Sequence, residues 1–248
     1  MSVLAWIIIS SFLISIFALT GIFTLAIKEK LLQKILIFLV SLSTGVLIGG
    51  AFLHLLPEAV KEFENSEEAF LWVLIAFIAF YLIEKLLHWR HCHDGVCEVH
   101  TFGYMNLIGD SIHNFIDGVI IAATFIVDIR LGLITTLAIA LHEIPQEIGD
   151  FGVLIYAGFK KKKALFLNFL VALTVVLGGI FGYYLSSGAE SLVKYFIPFA
   201  AGGFIYIAAS DLLPEIKKET NLKKSFASFG MFIIGIILMY IVKFLGIE

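Results

Sequence analysis

The chain alternates long apolar runs with short polar connections from one end to the other. Each run is poor in charge and long enough to cross the ~30 Å hydrocarbon core of a bilayer as a helix. Strands of a membrane barrel need only about 10 residues, and these runs lack polar breaks at that interval. The pattern therefore predicts an all-α, polytopic membrane protein with eight transmembrane helices, at residues 3–27, 35–57, 69–87, 103–127, 131–158, 164–186, 192–213 and 226–246.

The composition agrees with a membrane location. The 248 residues are 60% hydrophobic and 15% charged, whereas a soluble domain is about 45–50% apolar and about 25% charged. Eight spans use most of the chain, so we expect a single domain over residues 1–248. The first run carries no charge before Lys28 and is expected to stay as helix 1 instead of being cleaved as a signal. The net charge of −3 argues against a nucleic-acid partner.

The basic residues predict the orientation of the chain. Most of the 17 Lys and Arg residues fall at loops 1–2, 3–4, 5–6 and 7–8, and the exceptions are Lys61, Arg130, Lys194 and Lys243. Basic loops are retained on the cytoplasmic side of a membrane. We therefore expect these four loops in the cytoplasm and both termini outside, with the plasma membrane as the location.

A short internal repeat links helices 2 and 7. The sequence LLPE occurs at 55–58 and again at 212–215, and Gly45 and Gly202 are separated by the same offset. Helices 2 and 7 cross the bilayer in opposite directions, which is typical of an inverted-topology repeat. We interpret helices 1–3 and 6–8 as the two copies, with helices 4 and 5 between them.

Ionisable residues inside the predicted spans concentrate in helices 4 and 5. Such groups are costly in a bilayer and therefore indicate function by default. The spacing 106, 110, 113 and 117 keeps polar side chains on one face of helix 4. The polar residues are Asn106, Asp110, His113, Asn114 and Asp117 in helix 4, and His142, Glu143, Gln146, Glu147 and Asp150 in helix 5.

The short connection at 127–130 predicts that helices 4 and 5 form an antiparallel hairpin. Pairing at equal depth brings His113 and Asp117 alongside Glu143 and Glu147. Imidazoles and carboxylates cannot stay together in a low dielectric unless protons or a cation compensate them. We therefore expect a divalent metal, with Zn²⁺ the first candidate and Fe²⁺, Mn²⁺ or Cd²⁺ after it. A purely structural polar network is the alternative, but it would need fewer acids.

Backbone breaks are expected at the same depth. Pro145 cannot donate a hydrogen bond to the carbonyl of Leu141, and Gly118 directly follows Asp117. Both helices should therefore be loosened where the polar side chains converge, and freed carbonyls could join the ligand set.

Two motifs resemble those of a known family. HNFIDG at 113–118 and HEIPQEIGDF at 142–151 are similar to the paired signatures of the ZIP (Zrt/Irt-like) divalent-metal transporters, and the resemblance extends over the whole chain. It implies transport of Zn²⁺ or a related ion into the cytoplasm through a binuclear site between helices 4 and 5, and it makes a homodimer plausible. By position, the implied metal ligands are His113, Asn114, Asp117, His142, Glu143 and Gln146, with Glu147 closing the motif.

Position 146 departs from the common pattern of the family. Many members of the subgroup with the longer helix 5 motif carry His where this chain has Gln146. A glutamine carbonyl is neutral and harder than an imidazole. The resemblance therefore implies weaker metal binding or a greater preference for oxygen-loving ions at this site.

Accessory metal ligands are expected outside the two motifs. His54 and Glu58 lie one turn apart at the outer end of helix 2 and could receive the ion, although His54 could simply bond to its neighbours. Asp110 and Asp150 extend the polar face of helices 4 and 5. Loop 3–4 suggests a metal acceptor or sensor, with a fixed zinc site and a solvated loop as alternatives. Its candidate ligands are His91, Cys92, His93 and Cys97.

An intramembrane zinc protease is the competing function. Residues 142–146 come within one residue of the H-E-x-x-H motif, in which two His on one helix bind zinc and the Glu activates water. Gln146 replaces the second His, and Pro145 disturbs the helix that the pair requires. We therefore favour a metal permease and expect no enzymatic activity.

Overall fold

A helix occupies each of the eight predicted spans in the structure, a computed structural model that describes residues 2–21, 29–91, 100–185 and 189–244. Within these ranges there is no strand. The helices are α1 (Val3–Ile16, with a 3₁₀ turn at Phe17–Gly21), α2 (Glu29–Gly49, a π-helical turn at Gly50–Leu55, then Leu56–Glu62), α3 (Ser66–His91), α4 (Thr101–Val127), α5 (Ile129–Tyr156), α6 (Lys161–Ala172 and Thr174–Tyr184), α7 (Ala189–Tyr206, a π-helical turn at Ile207–Leu212, then Leu213–Lys217) and α8 (Leu222–Phe244).

Six of these helices, α2, α3, α4, α6, α7 and α8, are long and apolar enough to cross a membrane. The first helix is shorter but apolar. Helix α5 has 28 residues, about 42 Å of rise, which is ample for a span. Its buried acids, imidazole and amide lower its mean hydropathy. The predicted all-α, polytopic membrane protein is therefore confirmed.

The two LLPE copies have matching backbone geometry. Each begins at the last residue of a π-helical turn, Gly50–Leu55 in α2 and Ile207–Leu212 in α7, and the two turns hold equivalent positions in the sequence repeat. A π-turn is uncommon and is often found at functional sites. Its occurrence at both repeat positions supports the inverted repeat that the sequence predicts.

Glycines bring the backbones of several helices close together. A β-carbon on Gly118 of α4 would lie 1.9 Å from the carbonyl oxygen of Val175 in α6, and one on Gly178 would lie 1.9 Å from that of Phe115. Helices α2 and α8 meet in the same way at Gly45, whose β-carbon would lie 2.0 Å from the carbonyl oxygen of Phe232. Small residues are the usual means of close helix contact in membranes. These glycines therefore allow the close packing of α4 with α6 and of α2 with α8.

The expected loosening of helices 4 and 5 is not observed. Both α4 and α5 remain α-helical through Gly118 and Pro145. Gly118 is needed for the close approach of α6, so it serves packing and not a break in the helix. The irregular turns occur instead in α2 and α7, beside the α4–α5 hairpin.

Candidate metal centre

A tight turn aligns the two helices that carry the polar residues. Helix α4 ends at Val127, and Asp128 caps α5 by accepting hydrogen bonds from the backbone N–H groups of Arg130 (2.8 Å) and Leu131 (3.1 Å). A capping carboxylate satisfies N–H groups that have no partner at a helix start. The short antiparallel hairpin predicted from the sequence is thereby confirmed, and it fixes which residues of α4 and α5 share a depth.

Four side chains from this hairpin converge on one point. His113 and Asp117 come from α4, and His142 and Glu143 come from α5; each residue is at most 3% exposed. One ligand atom from each of the four lies within 4.8 Å of the others. The pairing of His113 and Asp117 with Glu143 at one depth agrees with the sequence prediction.

The separations between these atoms fit a tetrahedral metal. Nε2 of His113 lies 3.4 Å from Nε2 of His142, 3.5 Å from Oδ2 of Asp117 and 3.3 Å from Oε1 of Glu143. Nε2 of His142 lies 3.1 Å from Oδ2 of Asp117 and 3.7 Å from Oε1 of Glu143. Ligands at Zn–N and Zn–O distances of about 2.0–2.2 Å stand about 3.3–3.6 Å apart around a tetrahedron. Five of its six edges are therefore within a few tenths of an ångström of the required length.

The electrostatics of the cluster also favour a cation. Glu143 is 1% exposed, and neither of its carboxylate oxygens accepts a hydrogen bond. A buried carboxylate without hydrogen bonds is costly unless a proton or a cation compensates its charge. Imidazole nitrogens with carboxylate oxygens suit Zn²⁺ and related divalent ions. The residues present therefore fit a bound divalent metal.

A second polar layer lies one helical turn along the hairpin. Oδ1 of Asp110 accepts hydrogen bonds from the amides of Asn114 (2.9 Å) and Gln146 (3.0 Å). The other carboxylate oxygen of Asp110 and the amide oxygen of Asn114 are buried without a hydrogen bond. Gln146 thus orients Asp110 and stands outside the four-residue cluster. The roles of Asp110, Asn114 and Gln146 as metal ligands stay predictions.

Two residues outside the hairpin hold its remaining acids. Asn168 of α6 is fully buried and donates a hydrogen bond to Oε2 of Glu147, and Ser43 of α2 donates one to Asp150 at 3.3 Å. Glu147 therefore has a partner on α6 and is not one of the four clustered residues, and its role as a metal ligand stays a prediction. Asn168 could have been noticed as an isolated amide within an apolar run, whereas Ser43 gives no sequence signal.

His54 lies beside the cluster, in the π-helical turn of α2. Its ring centroid is 5.5 Å from that of His142, with the planes at 52°. Glu58 follows on the same helix and forms an ion pair with Lys61 at 2.9 Å. The structure therefore brings His54 to the cluster and leaves Glu58 partly exposed at the end of α2.

Most of the predicted metal ligands of loop 3–4 cannot be placed relative to the cluster. Cys92, His93 and Cys97 lie outside the described residues. His91 is the last residue of α3. The acceptor or sensor role of these four residues stays a prediction.

Acids and tyrosines also meet near the end of α7, in a group that the sequence did not reveal. The hydroxyl of Tyr206 donates a hydrogen bond to Glu84 of α3, and the hydroxyl of Tyr156 donates one to Glu215 at 3.2 Å. Asp211 is buried nearby in the π-helical turn. Glu84 and Asp211 sit in apolar stretches and could have been noticed as isolated acids, but the tyrosines carry no such signal.

Comparison with known proteins connects this geometry to one family. The family model described as "ZIP Zinc transporter" matches residues 2–95 and 90–243. The chain is 36% identical over 215 residues to zinc transporter ZIP13 of Pongo abelii, covering 81% of this chain and 65% of that protein. It is 33% identical over 249 residues to the Mus musculus protein of the same name (83% and 69%) and 29% identical over 309 residues to the ZIP13 homolog of Drosophila melanogaster (93% and 87%).

The chain thus spans slightly less than two thirds of the length of the Pongo abelii relative. The match of the family model nevertheless extends from helix α1 to the end of α8 and includes both halves of the metal cluster. The chain belongs to the ZIP zinc transporter family.

Proposed function

We propose that this chain transports divalent metal cations, most favourably Zn²⁺, across a membrane into the cytoplasm. The observation that carries the proposal is the near-tetrahedral group of His113, Asp117, His142 and Glu143, buried at the centre of a helical membrane bundle. Family membership supports the same function, because the relatives are named zinc transporters. The ion is the cargo of this site, so its binding must be reversible.

The proposed path begins at the outer end of α2. The basic loops favour cytoplasmic placement of loops 1–2, 3–4, 5–6 and 7–8, with both termini outside and the protein in the plasma membrane. An ion passing His54 reaches His142 first, because the two rings are adjacent. It exchanges its water for the imidazoles and carboxylates of the cluster, and binding displaces protons from these groups. The second layer around Asp110, Asn114 and Gln146 provides oxygen ligands further along α4 and α5.

Several finer features belong to the same proposal. The metal ligands are those carried over from the family motif, Asn114, Gln146 and Glu147 included. Fe²⁺, Mn²⁺ and Cd²⁺ are secondary cargoes, since the oxygen-rich layer suits harder ions than a wholly imidazole site does. Residues 1–248 act as one transport domain, which assembles as a homodimer in the lipid bilayer.

The geometry disfavours an intramembrane zinc protease. The second imidazole of the cluster comes from His113 of α4, and Gln146, which stands where that protease motif has its second His, donates a hydrogen bond to Asp110. The glutamate that would activate water in a protease is Glu143, whose Oε1 lies 3.3 Å from Nε2 of His113, a separation that supports a ligand role instead. A cargo site explains these positions better.

Zinc uptake into proteoliposomes tests the function. The purified chain should take up Zn²⁺ faster than empty liposomes, and Glu143→Gln and His113→Ala should each reduce the rate at least tenfold. Glu67→Gln is the matched control for the glutamate, because Glu67 is exposed in the first turn of α3. Uptake by the wild-type chain no faster than by empty liposomes would refute transport.

A further inference from the structure

Matching ion pairs lie at the ends of the two LLPE segments. Glu58 pairs with Lys61 after the first LLPE segment, and Glu215 pairs with Lys218 at the equivalent positions after the second. Helix α2 runs in the opposite direction to α7, so the two pairs lie at opposite faces of the bundle. Any difference between them distinguishes one end of the transport path from the other.

The pairs differ in their burial and in what else they bind. The side chain of Glu58 is 43% exposed, whereas that of Glu215 is 16% exposed. Oε2 of Glu215 also accepts a hydrogen bond from the hydroxyl of Tyr156 at 3.2 Å. Tyr156 is the last residue of α5, the helix that supplies His142 and Glu143 to the metal cluster. The second pair is therefore bonded to the metal-binding hairpin.

This bond crosses a seam between helices that otherwise touch little. Along their described lengths, the backbones of α5 and α7 do not pack extensively against each other; α7 packs mainly on α3. A tyrosine and a glutamate are long enough to bridge such a gap with their side chains alone. Helix α2 packs against both helices, so breaking the bond removes a direct link between α5 and α7 without disturbing a close backbone interface.

We propose that the Tyr156–Glu215 hydrogen bond is a latch that keeps the seam between α5 and α7 closed at the cytoplasmic end of the transport path. The inference rests on the proposed function for its meaning, because opening this seam would let a cation leave the buried cluster inward. In the closed state Glu215 is occupied by Tyr156 and Lys218. When the latch opens, the end of α5 separates from α7 and the seam fills with water.

The fold contains a matched hydrogen bond that does not cross the seam. The hydroxyl of Tyr206 in α7 donates to Glu84 in α3. Helices α3 and α7 are already interlocked, because a β-carbon on Gly202 would lie 2.3 Å from the carbonyl oxygen of Val73. Tyr206→Phe therefore removes the same type of bond as Tyr156→Phe but leaves the α5–α7 seam untouched.

A distance measurement between spin labels tests the latch. Labels are attached to Lys160→Cys and Lys217→Cys, both at exposed positions near the ends of α5 and α7, in a chain that also carries Cys92→Ser and Cys97→Ser. In zinc-free liposomes, Tyr156→Phe should raise the ratio of long to short distances about fivefold, the equivalent of about 1 kcal/mol. Glu215→Ala should give the same shift, and Tyr206→Phe should leave the distribution unchanged.

The possible outcomes decide between the latch and its rivals. Identical distributions for wild type and Tyr156→Phe would overturn the proposal, and so would equal shifts in Tyr156→Phe and Tyr206→Phe, which indicate a general loosening of α7. A combined Tyr156→Phe and Glu215→Ala variant should shift the distances no further than either change alone, since both changes remove the same Tyr156–Glu215 hydrogen bond. The distances do not depend on transport: if zinc uptake fails while the shift occurs, the proposed function is wrong and the latch stands.

Discussion

His113 and His142 face each other with their Nε2 atoms 3.4 Å apart, although they lie 29 residues apart in the chain and on different helices. Two ring nitrogens at this distance repel unless a proton or a metal lies between them. Asp117 and Glu143 flank the pair at 3.1–3.7 Å. The arrangement is therefore poised for a cation, and its properties should respond to the loss of any one ligand.

Replacing His142 should weaken zinc binding strongly. His142→Ala removes one of the four atoms that approximate a tetrahedron, and water would have to take its place. Since outer partners of metal ligands already contribute about 10–100-fold, we expect an affinity loss of at least about 100-fold. Equilibrium binding of Zn²⁺ to the purified protein measures this, with His100→Ala as the control because His100 is exposed. Equal losses in the two variants would contradict the assigned cluster.

Packing of the metal-bearing helix depends on Gly118. In Gly118→Ala the new methyl group would lie 1.9 Å from the carbonyl oxygen of Val175, so α4 and α6 must separate. We expect the free energy of unfolding to fall by about 1–3 kcal/mol, seen as a lower thermal unfolding midpoint in detergent. Gly230→Ala in α8 is the control, since nothing lies within 4 Å of its β-carbon and alanine favours a helix. A midpoint of Gly118→Ala at or above that of Gly230→Ala would exclude the close α4–α6 contact.

Much of the site could be predicted because the signals are local in sequence. Helical spacing and a short hairpin connection determine which faces of α4 and α5 meet, and these placed His113 and Asp117 beside Glu143 correctly. The same reasoning gave no indication that Glu147 has a hydrogen-bond partner on α6. Its position on the helix turns it toward α6, and a rule based on depth alone does not include the third helix that contributes Asn168.

The irregular backbone lies in different helices from those indicated by Pro145 and Gly118. Pro145 and Gly118 are ordinary signals of a break, yet both lie in continuous helix, and Gly118 serves the close approach of α6. The π-helical turns of α2 and α7 contain no proline, but Pro57 and Pro214 of the LLPE segments lie two residues after them. Each proline lacks the N–H that would bond to the carbonyl four residues earlier, inside the turn, so the repeated proline was a usable signal for the irregular backbone.

Residue 146 should influence metal preference. Gln146 now donates a hydrogen bond to Asp110, and Gln146→His would put an imidazole at the edge of the second layer. Imidazole favours Zn²⁺ over Mn²⁺, so we expect the Zn²⁺-to-Mn²⁺ ratio of uptake rates to rise severalfold. Gln146→Asn, which keeps an amide, serves as the control. An unchanged ratio in Gln146→His would show that this position does not set selectivity.

Asn168 should stabilise the metal-free protein through its hydrogen bond to the buried Glu147. In Asn168→Asp the amide donor is replaced by a second carboxylate against a buried glutamate, which should cost the metal-free protein about 1–3 kcal/mol. A divalent cation can compensate two facing carboxylates, so Mn²⁺ or Zn²⁺ should raise the unfolding midpoint of this variant more than that of wild type. Asn168→Ala is the comparison, because it also loses the donor but gains no charge. If metal stabilises both variants equally, the oxygens around Glu147 do not take part in cation binding, and the metal-binding region ends at the layer formed by Asp110 and Asn114.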